Sequence, residues 1–177
     1  MRAPALPASE AQRIATLREL LILDTLPEAR FDGITAYAAS QFGVPMAMVT
    51  LVDTNRQWFK SCVGLEPGEA PRELSFCGHA ILESGIFEIP DARADERFVD
   101  NPFVTGDPWV RFYAGCPLVM DNGEAVGTLC LLGRTPKRLS TWERQHLTVL
   151  GKMVSAELQG VSARSVEGRP NIPAFYT

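Results

Sequence analysis

The sequence predicts an α+β domain, with a central antiparallel sheet of five or six strands, terminal helices packed on one face, and a short helix and a long loop on the other. Three observations carry this. Clear helical periodicity is confined to the two ends, residues 9–42 and 140–161, with strand-like segments between them. Asn122-Gly123 is a hairpin signal joining two of those segments. A chain of 177 residues with 46% apolar and 21% charged residues describes one compact domain with a substantial core.

The elements follow in order. Residues 1–8 are rich in Ala and Pro and are expected to be disordered, leaving 9–160 as the folded domain and 161–177 as a flexible tail with two prolines. Ser9 reads as an N-cap, with Gln12 completing a capping box, and Ile14, Leu17, Leu20 and Leu21 follow at helical spacing. Pro27 opens a second helix, with Phe31, Ile34, Tyr37 or Ala38, and Phe42 on one side until Gly43 ends it. Residues 46–52 are apolar except Thr50 and too short for a helix, so they read as a buried strand. The turn Asp53-Thr54-Asn55-Arg56 leads into a second strand over 57–63. Strict alternation would place Trp58, Lys60 and Cys62 on one of its faces and Phe59, Ser61 and Val63 on the other.

Residues 64–73 read as a loop, after which Ser75 caps a short helix that carries Cys77 and His79 and ends at Gly85. A brief strand over 86–89 precedes a polar stretch, 90–109, of a length usually tied to function. Residues 111–120 and 124–132 form the Asn-Gly hairpin. Ser140-Thr141-Trp142-Glu143 is a capping box opening a long helix with Leu147, Leu150, Val154 and Leu158 at helical spacing.

Composition narrows the function. Seventeen basic residues against 21 acidic ones give a net charge of −4, with no basic cluster to track a phosphate backbone, so nucleic acid is not an expected partner. The longest apolar runs, such as 20–23 and 44–49, fall far short of a bilayer, and the first residues lack the pattern of a signal peptide, so a cytoplasmic chain with no membrane partner is expected. Cys62, Cys77, Cys116 and Cys130 form no Cys-x-x-Cys pair, which leaves free thiols as the expectation and no metal assignment.

Several strings together resemble the GAF domain family of small-ligand sensor modules. They are Leu23-Asp24-Thr25-x-Pro27-Glu28, Phe31-Asp32-x-Ile34, Leu51-Val52-Asp53, Arg56-Gln57-Trp58-Phe59-Lys60 and Ser75-Phe76-Cys77-x-His79-Ala80-Ile81. Further on stand Asp91-Ala92-Arg93-x-Asp95-x-Arg97-Phe98-x-x-Asn101-Pro102, Arg111-Phe112-Tyr113-Ala114-Gly115-x-Pro117-Leu118 and Gly127-Thr128-Leu129-Cys130. They cover about residues 10–160. The resemblance implies a sensory, non-catalytic domain of bacterial signal transduction, with a ligand cavity in front of the sheet. It also implies terminal helices that pair two protomers and transmit ligand binding, here with Leu17, Leu20, Leu21, Leu147, Leu150, Met153 and Val154 as the seam. With no output domain among these residues, the further expectation is either a signalling partner in trans or a longer protein of which these residues are a piece.

The expected ligand site combines this cavity with the polar loop. Asp91, Arg93, Phe98, Trp109 and Arg111 set charge beside aromatic walls, and Tyr113 or Cys116 would reach the cavity from the strand behind. The basic members suit a small polar or anionic ligand; its identity, and any cofactor, is unknown from sequence. Cys77 and His79 at a helix start complete the site, and a thiol there is favoured as thiolate. The string Cys77-Gly78-His79-Ala80 is also similar to one in free methionine-(R)-sulfoxide reductases, which makes a thiol-dependent redox enzyme using Cys77 the alternative. In that family the attacking cysteine lies in the long loop, and residues 90–110 contain none. Cyclic-nucleotide-binding relatives carry an Asn-Lys…Phe…Asp-Glu string that does not occur, and bilin-binding relatives have His or Tyr directly after the cysteine, where Gly78 stands.

Overall fold

The computed structural model describes the backbone of residues 1–167 and the side chains of residues 1–160. Helices α1 (Glu10–Glu19) and α2 (Ala29–Phe42) precede strands β1 (Met46–Val52), β2 (Arg56–Val63) and β3 (Glu69–Pro71). Then come α3 (Phe76–Ala80), β4 (Phe87–Ile89), α4 (Pro102–Thr105), β5 (Phe112–Val119), β6 (Ala125–Gly133) and α5 (Thr141–Glu167). The six strands form one sheet in the order β3-β2-β1-β6-β5-β4, with every pair antiparallel.

The sheet is buried on both faces, which is why β1 reads as a continuous apolar run: all seven of its residues are buried. Against one face pack α1, α2 and α5, joining Leu17, Phe31, Leu51, Phe112, Leu129, Leu147 and Val154 into one core. Against the other pack α3, α4 and the 90–110 segment, where Phe76, Phe87, Phe98 and Tyr113 join Met46 and Met48 in a second core.

Local chemistry accounts for the boundaries. Gly43 ends α2 in the left-handed conformation (φ 62°). The Ser140–Glu143 capping box of α5 forms in full, Ser140 N–H donating to Glu143 Oε2 at 2.7 Å and Glu143 N–H to Ser140 Oγ at 3.1 Å. Ser75 Oγ accepts from Gly78 N–H at 2.9 Å and caps α3. Ser9 caps nothing with its side chain, because its hydroxyl donates to Glu124 Oε2 on the β5–β6 hairpin at 2.9 Å.

Five expectations need correction. The loop 64–73 contains β3 and a 3-10 turn, because residues 69–71 complete the β2 edge. Residues 1–8 are not loose: Arg2 N–H donates to Arg97 O at 3.0 Å, Arg2 O accepts from His79 Nε2–H at 3.0 Å, and the Met1 amine pairs with Asp100. This strap crosses α3 at Gly78, where a Cβ would stand 2.6 Å from Pro4 Cγ. Helix α5 continues through Glu167, past the expected end at 160, while the tail beyond it lies outside the described residues.

Strict alternation fails in β2, because the register against β1 slips between Val49 and Thr50. The bulge puts Lys60 and Ser61 together on the helical face. Lys60 Nζ reaches Glu28 Oε1 at 2.7 Å and Ser61 Oγ meets Thr35 Oγ1 of α2 at 2.8 Å, while Phe59 and Cys62 turn to the front core. Finally, the expected dimer seam is largely core. Leu17, Leu20, Leu147, Leu150 and Val154 are buried, leaving Leu21 and Met153 exposed.

Candidate functional site

A cavity of about 290 Å³ opens on the front of the sheet, bounded by the β2–β3 hairpin, the start of α3 and residues 103–110. Its walls are apolar and aromatic, with Met48, Phe59, Phe76, Phe103, Tyr113 and Leu132 prominent. Size and lining match those of small-molecule pockets. A second hollow of about 370 Å³ lies between the N-terminal strap and Pro71–Glu73, but it is a more open groove, and it holds no buried group without a partner.

Gln57 singles out the first cavity. Its Oε1 is the buried side-chain oxygen without a hydrogen-bond partner among the described residues, and Gln57 as a whole is 6% exposed. A buried amide oxygen left unpaired costs about 1–3 kcal/mol, and the residue that carries it lines the cavity. Gln57 pairs with Ala70 in the β2–β3 ladder, which puts both side chains on the cavity side. Sequence reasoning missed Gln57, although the signal was there: it shares the apolar front face of β2 with Phe59.

Three carboxylates stand on the lining: Glu66 and Glu69 from the hairpin, and Asp107 after α4. Glu69 pairs with Arg56 Nη1 at 2.7 Å, whereas Glu66 and Asp107 make no ion pair among the described residues. Among the described residues no basic side chain lines the cavity.

Beneath the lining sits a polar cluster around Cys77. Tyr113 Oη donates to Cys77 Sγ at 3.2 Å and Thr128 Oγ1 donates to it at 3.1 Å, with Cys130 Sγ at 3.8 Å. Tyr113 can lie along its strand because Gly115 leaves room; a Cβ there would be 2.3 Å from Tyr113 Oη. Burial alone would push the Cys77 thiol up, but the donors Cys130, Thr128, Thr50 and Tyr113 outweigh it and bring it down to about 7. Burial drives Cys130 and Tyr113 the other way, well above their ordinary values.

Of the site residues expected from sequence, the cavity gathers Cys77 and Tyr113. The others lie elsewhere. His79 stands behind α3, its ring edge-on to Phe98 and its Nε2–H on the strap carbonyl; burial lowers its basicity. Phe98 is 1% exposed and stacks on Phe76 at 4.2 Å, filling the space in which the loop was expected to enclose a ligand. Asp91 and Arg93 pair with each other at the surface, where Arg93 is 54% exposed. Arg111 donates to the carbonyls of Val104 and Val110 and so fastens the loop. Trp109 is about half exposed and lies beside Arg111, outside the lining. Cys116 points to the helical face, where α5 presses on it: a Cβ on Gly151 would meet Cys116 Sγ at 2.5 Å. An odd separation along β5 forbids Tyr113 and Cys116 from sharing a face. The loop arginines thus bond within the loop, and among the described residues none of them lies on the lining of this cavity.

No group of three or more His, Cys, Asp or Glu side chains among the described residues could hold a metal ion. No helix among them is long and apolar enough to cross a membrane.

Comparison with known proteins places this geometry in context. The GAF domain family profile matches residues 26–158. Over 137 residues the chain is 42% identical to a cyclic di-GMP phosphodiesterase, PA2567, of Pseudomonas aeruginosa; the match covers 77% of this chain and 23% of that protein, so the chain spans about a quarter of that relative's length. Among solved structures, the GAF domain of a phosphoenolpyruvate-protein phosphotransferase from Coxiella burnetii superposes with TM-score 0.66 at 13% identity, covering 88% of this chain and 98% of that one. A free methionine-R-sulfoxide reductase from Neisseria meningitidis, solved with its substrate, superposes with TM-score 0.62 at 18% identity, covering 93% and 99%. At these identities the structural likenesses speak to fold alone.

Proposed function

The chain belongs to the GAF domain family, and from that premise we propose that it is a regulatory module that binds a small molecule in the Gln57 cavity and signals through its helices. The observation that supports this most is the unpartnered side-chain oxygen of Gln57, a residue of the cavity lining. A route outward exists in β5, which carries Tyr113 to the cavity on one face and Cys116 against Gly151 of α5 on the other. A shift of β5 on ligand binding would therefore move α5. Likeness to a segment of a cyclic di-GMP phosphodiesterase supports control of an enzymatic partner as the output. The module itself binds rather than turns over its ligand.

A thermal-shift screen of metabolites tests this reading. Any metabolite that raises the melting temperature of the wild type is expected to lose its effect in Ala70→Trp, since the indole would lie beside Gln57 and fill the cavity. A ligand that stabilises both proteins equally would place binding elsewhere.

The signalling assembly in this reading is a homodimer, through an apolar stripe on α5 rather than the residues of the core. Trp142, Val149 and Met153 are 55%, 54% and 49% exposed, and His146 stacks on Trp142 between them. Their spacing of four, three and four is that of a coiled-coil seam. Light scattering on the eluting protein is expected to give twice the monomer mass at micromolar concentration. Val149→Glu with Met153→Glu is expected to halve it without loss of helical signal. A wild-type monomer would end the dimer proposal.

Thiol chemistry is the second reading, favoured by the acidic Cys77 thiol beside Cys130 at 3.8 Å. Burial argues against it, because Cys77 is 1% exposed whereas Cys62 is partly open. Brief iodoacetamide treatment at pH 7.5 is expected to label Cys62 and spare Cys77. Rapid labelling of Cys77 together with consumption of methionine sulfoxide would favour the enzyme.

A further inference from the structure

The charge and lining of the cavity say what kind of molecule it takes. Resting on the reading of this cavity as the ligand site, the geometry points to a small organic cation: an ammonium group on an aromatic body, with N–H donated to Gln57 Oε1 and positive charge toward Glu66 and Asp107.

Each part of the cavity selects one feature. Phe59, Phe76, Phe103 and Tyr113 offer flat apolar walls, which an aromatic body covers and a sugar or inorganic ion does not. The carboxylates on the lining are Glu66, Glu69 and Asp107. Arg56 already pairs with Glu69, so Glu66 and Asp107 are the lining carboxylates without an ion pair among the described residues. An anion entering here would meet like charge with no basic side chain on the lining to offset it, and it would have to leave water. A cation meets two open carboxylates, and the aromatic faces favour it further. Gln57 then supplies what an apolar pocket lacks, an acceptor for a donor N–H: the residue is 6% exposed and its Oε1 has no hydrogen-bond partner among the described residues. The acidic residues alone would be a solvated rim. Together with a buried acceptor in want of a donor, they define a ligand of one polarity.

Isothermal titration at pH 7 with phenethylammonium, 3-phenylpropionate and 2-phenylethanol as probes tests this. The three share a ring and tether and differ in charge. Phenethylammonium is expected to bind the wild type at least tenfold more tightly than either of the others. Gln57→Leu is expected to weaken it at least tenfold while leaving the unliganded protein as stable or more so, because an unpaired buried oxygen is removed. Glu66→Gln with Asp107→Asn, both at exposed positions, is expected to weaken it severalfold and to flatten the salt dependence of binding. Preference for the carboxylate or the alcohol, with binding still abolished by Ala70→Trp, would overturn the cationic assignment and leave the cavity as the ligand site. Binding of none of the three would also overturn it. If in addition no metabolite discriminates the wild type from Ala70→Trp, the cavity reading falls as well.

Discussion

Gly127→Ala is expected to destabilise the domain by about 3 kcal/mol or more, whereas Gly33→Ala is expected to stabilise it by about 0.5–1 kcal/mol. The two glycines differ in what a methyl group would meet. Gly127 lies in β6 opposite Leu51 of β1, and a Cβ there would stand 1.9 Å from Thr50 O and 2.9 Å from Leu51 Cα. Both are backbone atoms at the centre of the sheet and cannot swing away. The strands must part, which breaks the ladder beside the Thr50–Thr128 hydroxyl pair (3.1 Å) and loosens the donor that Thr128 offers Cys77. Gly33 lies within α2 with nothing within 4 Å of its Cβ position, so alanine there reduces the entropy of the unfolded chain and meets no obstacle. Urea unfolding followed by circular dichroism measures both. Against a total stability of about 5–15 kcal/mol, the first loss would leave a fraction of the protein unfolded at 37 °C. A wild-type midpoint for Gly127→Ala would mean that β1 and β6 do not approach as described.

Arg13→Met is expected to cost about 3 kcal/mol and to change the acid sensitivity of the fold. Arg13 is 1% exposed, and its guanidinium is fully engaged: Nε and Nη2 donate to the two oxygens of Glu10 at 2.8 and 2.9 Å, and Nη1 donates to Val52 O at 2.6 Å. Arg72 donates to the same carboxylate and to Asp53 O at 3.1 Å, so Glu10 ties α1 to the ends of β1 and of the β2–β3 hairpin. Burial would raise the Glu10 carboxyl, but the hydrogen bonds from Arg13 and Arg72 hold it down to about 2. A folded-state value below the unfolded one, near 4.5, contributes stability that is complete above pH 4.5 and is lost as pH falls toward 2. Solvent reaches a fifth of Glu10, which limits this contribution to about 1–2 kcal/mol. Melting temperature measured from pH 7 to pH 2.5 is expected to fall most steeply below 4.5 in the wild type and less steeply in Arg13→Met. Equal slopes would mean that Glu10 does not carry the acid response.

The two variants also mark what the sequence could and could not convey. The helix, strand and hairpin positions rest on local signals that no tertiary contact opposes: the uniform apolarity of 46–52, the Asn122-Gly123 bend, the Ser140–Glu143 box. Five of the six strands followed from them, whereas β3 lies in a segment that carries loop signals. The face assignments in β2 failed because a bulge at Lys60 leaves no mark on composition. The strap was read as loose because Pro4 and Arg2 find partners, Gly78 and Arg97, only once the chain has folded. The residues expected to meet a ligand do not gather at one cavity, for a related reason. Arginines and aspartates in a long loop look alike whether they meet a ligand or one another, and here Asp91–Arg93 and Asp95–Arg97 are closed pairs two residues apart. Phe98, directly after them in sequence, turns inward and stacks on Phe76. Gln57 carried the better signal, a polar side chain on an apolar strand face, but its lack of a partner shows only in three dimensions.

The position of the ligand site is tested most directly by amide and side-chain chemical-shift mapping of the isotope-labelled protein during a small-fragment screen. Perturbations from bound fragments are expected to centre on Gln57, Ala70, Phe76 and Tyr113, with the Gln57 carboxamide resonances moving most. Perturbations centred instead on Arg93 and Arg111, or none on Gln57 for any fragment that binds, would contradict the account.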